Sequence, residues 1–233
     1  IETTGLANPS PVIQTMVVDQ VIAAQCRLDS VVCVVDAINI YTQLADGADA
    51  AQQIAFSDHI VLNKANDAIA PLDGIENRLR KLNPFAPITR ANRSDVPACE
   101  VLNRNGFDLD QIELRLAPIL DAQHHNHIDS SGITSVSLTC DEPLDAKSLE
   151  VWLEDLLARR GADMLRTKGV LSILGDDRKL VLQAVNMMLE GDYLGVWRGD
   201  VRISRLIFIG KNINFEDLDR GFQGCQSRVA ALD

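Results

Sequence analysis

The sequence has few aromatic residues: two Trp, two Tyr and six Phe among 233. Leu, Ile, Val and Ala must therefore fill the core, and at 46% hydrophobic residues a sizeable core is affordable. No run of eighteen apolar residues occurs, which excludes a transmembrane helix. The five cysteines, Cys26, Cys33, Cys99, Cys140 and Cys225, are odd in number and lack paired spacing. That argues against a disulfide framework and for reduced thiols in a cytoplasmic compartment. Cys33 lies in an apolar run and reads as a small buried hydrophobe. Basic residues are outnumbered by acidic ones, 22 to 33, for a net charge of −11. This balance argues against nucleic acid or an anionic membrane as partner and is compatible with handling cations. A Gly-x-x-x-x-Gly-Lys-Ser/Thr phosphate loop is absent from the chain.

The most informative stretch that is present is Ile60-Val61-Leu62-Asn63-Lys64-Ala65-Asn66. An apolar run of strand character ends in Asn-Lys. In parallel α/β sheets, ligands bind beyond the carboxyl ends of such strands. Asn63 can hydrogen-bond a base edge, and the Lys64 stem can lie across a purine face. A carboxylate two residues on would accept from the paired N–H groups of guanine. Asn66 stands there with an amide whose NH2 faces donors, and Asp67 follows at once. The chain opens on Ile1-Glu2-Thr3-Thr4-Gly5-Leu6-Ala7-Asn8-Pro9, which reads as a strand end entering a loop. Glu2, Thr3 and Thr4 offer oxygens to Mg²⁺ and its waters, and Gly5 allows a backbone N–H close to a phosphate.

The remaining pattern predicts alternating elements. Pro11–Arg27 reads as a helix with Ser10 as N-cap, and Leu28–Ala37 as a strand apolar on both faces, with Asp36 at its end. Asp36 either helps to position the Glu2–Gly5 loop or Mg²⁺, or caps the following turn. Ile38–Phe56 is helical with a break at Gly47. Ile60–Asn63 is a strand, Leu72–Leu82 a helix ended by Asn83-Pro84, and Ala86–Thr89 a short strand. Gln111–Leu120 is a further helix. This alternation means a parallel sheet with flanking helices. Beyond a polar, His-rich stretch, Ile133–Leu138 reads as a half-buried strand and Leu149–Arg160 as a helix started near Asp145 or Ser148. Met164–Leu174, Lys179–Leu189 and Val201–Ile209 read as strands and Phe215–Phe222 as a short helix. Strands outnumber helices here, which predicts an α+β domain with an antiparallel sheet and helices on one face.

Glu-Thr-Thr-Gly-Leu-Ala-Asn-Pro followed by Asn-Lys-x-Asn resembles the CobW-like GTPases, metal-chaperone relatives of the HypB and UreG proteins. Further matches are Val31–Ala37, the Asn83-Pro84-Phe85-Ala86-Pro87-Ile88 turn, and the His-bearing segment at His124, His125 and His127. The second half adds Pro143-Leu144-Asp145, Trp152-Leu153, Arg166-Thr167-Lys168-Gly169, Gln183-Ala184-Val185, Trp197 and Arg202–Gly210. The likeness covers nearly the whole chain. It implies an incomplete P-loop GTPase-type α/β domain over 1–121, a linker over 122–131, and a smaller α+β CobW C-terminal-like domain over 132–233. The family's phosphate loop and Cys-x-Cys-Cys motif are expected upstream of Ile1, in a missing piece on the order of a hundred residues. The fragment by itself is then expected neither to hydrolyse GTP nor to bind it tightly.

By that resemblance Glu2 holds Mg²⁺ or its water and Gly5 contacts the γ-phosphate. Asn63, Lys64 and Asn66 or Asp67 bind the base. Asn66 departs from the family's Asp, and Asn186 stands where the family often has His. His124, His125 and His127 are candidate ligands for an exchangeable metal; a closed Zn²⁺ site wants about four ligands. Arg166, Lys168, Arg202 and Arg205 are either a docking face or charges held in salt bridges. The implied function is a GTP-dependent metallochaperone that carries zinc or cobalt to a client protein. GTP, Mg²⁺ and Zn²⁺ or Co²⁺ are its cofactors and cargo, and a homodimer is allowed for. The alternative is a non-catalytic metal-binding or interaction module with a degenerate nucleotide site.

Overall fold

The computed structural model describes residues 1–5, 7–109, 127–128, 132–199 and 201–227. The expected helix over Gln111–Leu120 lies outside them, as do His124 and His125; for His127 only the backbone is described.

The N-terminal half is a parallel sheet of three strands: β1 (Val32–Asp36), β2 (His59–Asn63) and β3 (Ile88–Arg90), in the order β1-β2-β3. Before it run α1 (Ser10–Val18) and α2 (Gln20–Ala23). The single helix expected over Pro11–Arg27 is thus divided. Asp19 adopts an extended conformation, and its carboxylate accepts from the N–H groups of Val21 and Ile22 at 2.9 and 3.1 Å. A side chain that caps a new helix ends the old one. Ser10 is not the cap of α1; it lies within the helix, and its N–H donates to Asn8 Oδ1 at 2.9 Å.

β1 begins later than the apolar run from Leu28 suggested. Ahead of it, Asp29 O accepts from the Gly106 N–H at 2.7 Å, and Val31 O accepts from the N–H groups of Asp58 at 2.7 Å and His59 at 3.2 Å, at the start of β2. α3 (Ile40–Asp46) and α4 (Ala48–Phe56) are separated at Gly47, as expected. α5 (Leu72–Leu82) matches its predicted span. Asn83 behind it is fully buried. Its Nδ2 donates to the carbonyls of Ile54 (2.7 Å) and Ser57 (2.8 Å), and its Oδ1 accepts from the Phe85 N–H at 3.0 Å. One amide therefore ties the end of α4 to the chain leading into β3. A short helix, α6 (Ala98–Val101), follows.

The C-terminal half is a six-stranded antiparallel sheet. Its strands are β4 (His127–Ile128), β5 (Ile133–Cys140), β6 (Met164–Ser172), β7 (Arg178–Val185), β8 (Met188–Val196) and β9 (Ser204–Lys211), in the order β4-β5-β9-β6-β7-β8. The segment expected as one strand from Lys179 to Leu189 turns back on itself after Val185. Asn186 takes a left-handed conformation (φ 50°), and Val185 pairs with Met188 across a two-residue turn. Asn tolerates that region because its short polar side chain offsets the steric cost.

α7 (Ala146–Arg160) starts at Asp145, whose carboxylate accepts from the Ser148 N–H at 2.8 Å; α8 (Phe215–Gln223) closes the domain. Both helices cover one sheet face, where Leu149, Leu153, Leu156, Leu218 and Phe222 pack on Val136, Leu138, Leu206 and Phe208. The opposite face shares a core with the first half: Ile133, Leu165, Val181, Ile207 and Ile209 cluster with Ile54, Phe56, Ile60 and Leu79. Covered on both sides, β6 is buried along its whole length. β5 is likewise more buried than its mixed sequence predicted. No helix among the described residues is long and apolar enough to cross a membrane.

Candidate nucleotide site

β1 and β2 deliver their last residues side by side, Asp36 opposite Asn63. Immediately after, Lys64 adopts a left-handed backbone (φ 58°), and a short 3-10 turn, Ala65–Asp67, follows. The Asp67 N–H donates to Lys64 O at 3.0 Å and the Ala65 N–H to Ala91 O at 3.0 Å. The base-loop residues proposed from sequence are therefore contiguous, at the carboxyl edge of a parallel sheet, where ligands bind in such folds.

The side chains of Lys64 and Asn63 are held by neighbouring residues at the same sheet edge. Lys64 Nζ donates to Asp36 Oδ2 at 2.8 Å. Asp36 also accepts from the Ile38 N–H (2.9 Å) and from Asn39 Nδ2 (2.9 Å). Desolvation by itself would raise the Asp36 pKa. The hydrogen bonds from Lys64, Asn39 and Ile38, with the lysine charge, outweigh it and hold the carboxyl below its ordinary value. Asp36 therefore both caps its turn and fixes Lys64.

Asn63 Nδ2 donates to Ser94 Oγ at 3.0 Å, and the Ser94 N–H returns a bond to Asn63 Oδ1 at 2.8 Å. The Asn66 N–H donates to Asn92 Oδ1 at 2.8 Å, while the Asn66 and Asp67 residues stay exposed. Asn92 and Ser94 were not singled out from sequence. The available signal was position: Ala91-Asn92-Arg93-Ser94 follows the third parallel strand, so it must emerge at the same sheet edge as Asn63.

Glu2 and Gly5 lie apart from this loop, in the segment before α1. With Thr3 and Thr4 they line a cavity of about 570 Å³, walled also by Val12, Ile13, Met16 and β1 residues Val32–Val34. The Ala7 N–H donates to Thr4 O at 3.0 Å and closes the segment into a turn. A Cβ at Gly5 would meet nothing within 4 Å, so packing does not require the glycine. Among the described residues no three His, Cys, Asp or Glu side chains converge as a metal-binding group.

A parallel α/β sheet with an Asn-Lys loop at its carboxyl edge, joined to an antiparallel α+β domain, is the plan of a nucleotide-binding protein with an appended C-terminal module. The chain belongs to the CobW-like family of metal-chaperone GTPases. Residues 1–90 match the model of the CobW/HypB/UreG nucleotide-binding domain, and residues 133–226 that of the cobalamin synthesis protein cobW C-terminal domain. The zinc chaperone YjiA of Escherichia coli is 29% identical over 224 residues, covering 96% of this chain and 69% of that protein. The zinc chaperone CobW of Pseudomonas aeruginosa is 28% identical, with 92% of this chain and 62% of the relative covered. The zinc-regulated GTPase metalloprotein activator 1 of Saccharomyces cerevisiae is 23% identical, with 94% and 60% covered. The crystal structure of Zn(II)-bound YjiA GTPase superposes with a TM-score of 0.80 at 25% identity, over 95% of this chain and 68% of that one. The chain thus spans about 60 to 69% of these relatives.

Proposed function

We propose that this chain is part of a GTPase that binds a transition metal, zinc first and cobalt second, and delivers it to a client protein in the cytoplasm. Hydrolysis gates the transfer: GTP orders the segment Glu2–Gly5, and its loss releases the arrangement and the metal. The observation that carries this reading is the Asn63-Lys64 loop. It is held in register by Asp36 and Ser94 in a chain whose relatives include zinc chaperones and a zinc-regulated GTPase.

Asn63 and Lys64 take the base, and Asn66 or Asp67 reads its donor edge. Gly5 offers its N–H to the γ-phosphate. Glu2, Thr3 and Thr4 line the same cavity with hard oxygen donors, the ligand type that Mg²⁺ takes; Mg²⁺ there would neutralise phosphate charge. His124, His125 and His127 carry the cargo metal; His127 falls on β4, the edge strand of the C-terminal sheet, and not in a free linker. Replacing all three by Ala is expected to weaken Zn²⁺ binding, and unchanged affinity would remove these histidines from the scheme.

The departure at Asn66 supports a second reading, a metal-binding or interaction module whose nucleotide site has decayed. Competition binding of GTP, XTP and ATP with Mg²⁺ to the full-length gene product separates the two. GTP binding at micromolar concentration or tighter is expected, and no binding of any nucleotide would leave the non-catalytic module.

A further inference from the structure

Gln53 sits on α4, and its side chain reaches across to the segment before α1. Its Nε2 donates to the carbonyl oxygens of Gly5 at 2.9 Å and of Ala7 at 3.0 Å. Both hydrogens of one amide nitrogen are thereby engaged. Gln53 also lines the cavity that Glu2, Thr3, Thr4 and Gly5 face. Contacts at Gly5 itself do not fix this loop, since a Cβ there would meet open space. Hydrogen bonds do: the Ala7–Thr4 turn from within and the Gln53 amide from outside.

We propose that Gln53 is a positioning residue for the phosphate-facing loop, holding the Gly5 and Ala7 peptides so that Glu2–Gly5 is arranged before nucleotide arrives. The inference rests on the reading of Glu2–Gly5 as the segment that GTP orders. A glycine peptide rotates freely, and a carbonyl oxygen turned toward a phosphate repels it. An amide that fixes the carbonyls prevents that rotation and leaves N–H groups preorganised for developing charge. Glutamine suits the task because its NH2 donates twice. Glutamate, of the same shape, has only acceptors and would oppose both carbonyls.

The test uses the full-length gene product with Mg²⁺, as wild type, Gln53→Ala and Gln53→Glu. Gln53→Ala is expected to lower kcat for GTP by about tenfold while GTP affinity changes far less, the pattern of a contact that matters mainly in the transition state. Gln53→Glu should be slower still, an order that side-chain volume alone would reverse. Hydrogen exchange of residues 1–9 is the second readout, and it stands without activity. It should quicken in Gln53→Ala while exchange in β2 stays unchanged. Wild-type kcat in both variants, or unchanged exchange at 1–9, would overturn the role of Gln53. A wild-type protein that binds no nucleotide would instead remove the GTPase reading, and this inference with it.

Discussion

Arg166 of β6 pairs with Asp58, the residue just before β2, and the ion pair is buried between the two sheets. The partners are 108 positions apart in sequence. Arg166 Nη1 also donates to Phe56 O at 3.0 Å, and the guanidinium stacks 4.9 Å from the Phe107 ring centroid. Lys168 Nζ lies 3.4 Å from Asp58 Oδ1 and from Gly106 O. The second Asp58 oxygen accepts from the Val31 N–H at 3.0 Å. Charges withdrawn from water need this degree of pairing. Arg166 and Lys168 are therefore no docking face; they join the C-terminal sheet to the nucleotide-binding half. Arg202 is likewise paired, with Asp177 at 2.6 Å.

Replacing Asp58 by Asn keeps the shape and removes the anion. Two buried cations then face an amide. Breaking such a pair costs about 3–5 kcal/mol, and urea unfolding should show a loss of that size. A loss below about 1 kcal/mol, the range of exposed pairs, would mean that water reaches the cluster.

Asp36 sets a pH dependence. Its pKa is lowered in the folded protein, so the folded state favours the carboxylate. The stability it contributes is fully present above the unfolded pKa, about 3.9 for Asp. It is lost as the pH falls through the lower, folded value. The stability difference between wild type and Asp36→Asn, measured by urea midpoints, should therefore stay constant near neutrality and shrink in strongly acidic solution. A difference flat down to the acid limit would show that Lys64 does not depend on the Asp36 charge.

Base reading should respond to Asn66→Asp. A carboxylate accepts two N–H bonds where an amide accepts fewer, worth about 1.5–3 kcal/mol or roughly tenfold to a hundredfold in GTP affinity. The same change should weaken XTP, whose C2 carbonyl loses a donor. Unchanged competition curves would assign the reading to Asp67 or the backbone.

The thiols should divide by burial. Cys26 and Cys99 are exposed, whereas Cys140 and Cys225 are buried. Burial pushes Cys225 up to about 11 and half-buried Cys33 up to about 12, and it raises Cys140 as well. A thiol stays protonated below its pKa, and the thiolate is the nucleophile. Thiol titration of the native protein near pH 8 should find Cys26 and Cys99 fast and the other three slow until denaturant is added. A fast Cys225 would mean that the α8 end opens readily.

Much of the chain was legible without coordinates. Local signals are short-ranged, so α5 between Pro71 and Asn83 and the break at Gly47 could be read directly. The errors fell where one residue decides between two local structures. Asp19 can continue a helix or cap the next, and Asn186 can extend a strand or turn it. At Asp19 the side chain caps the next helix, and at Asn186 the backbone takes the left-handed turn.

The sequence by itself determined most of the order of elements, the parallel and antiparallel halves, and the placement of Asn63-Lys64 at a strand's carboxyl end. Hydrophobic period and turn chemistry are written residue by residue, and a strand's direction follows from its neighbours in the chain. Only the tertiary structure decided who holds the site: Asp36 on Lys64, Ser94 on Asn63, Gln53 on Gly5, and Arg166 on Asp58. Those partners come from separate strands and helices. Their meeting is set by how sheets and helices stack to bury a common core, and no local pattern records it.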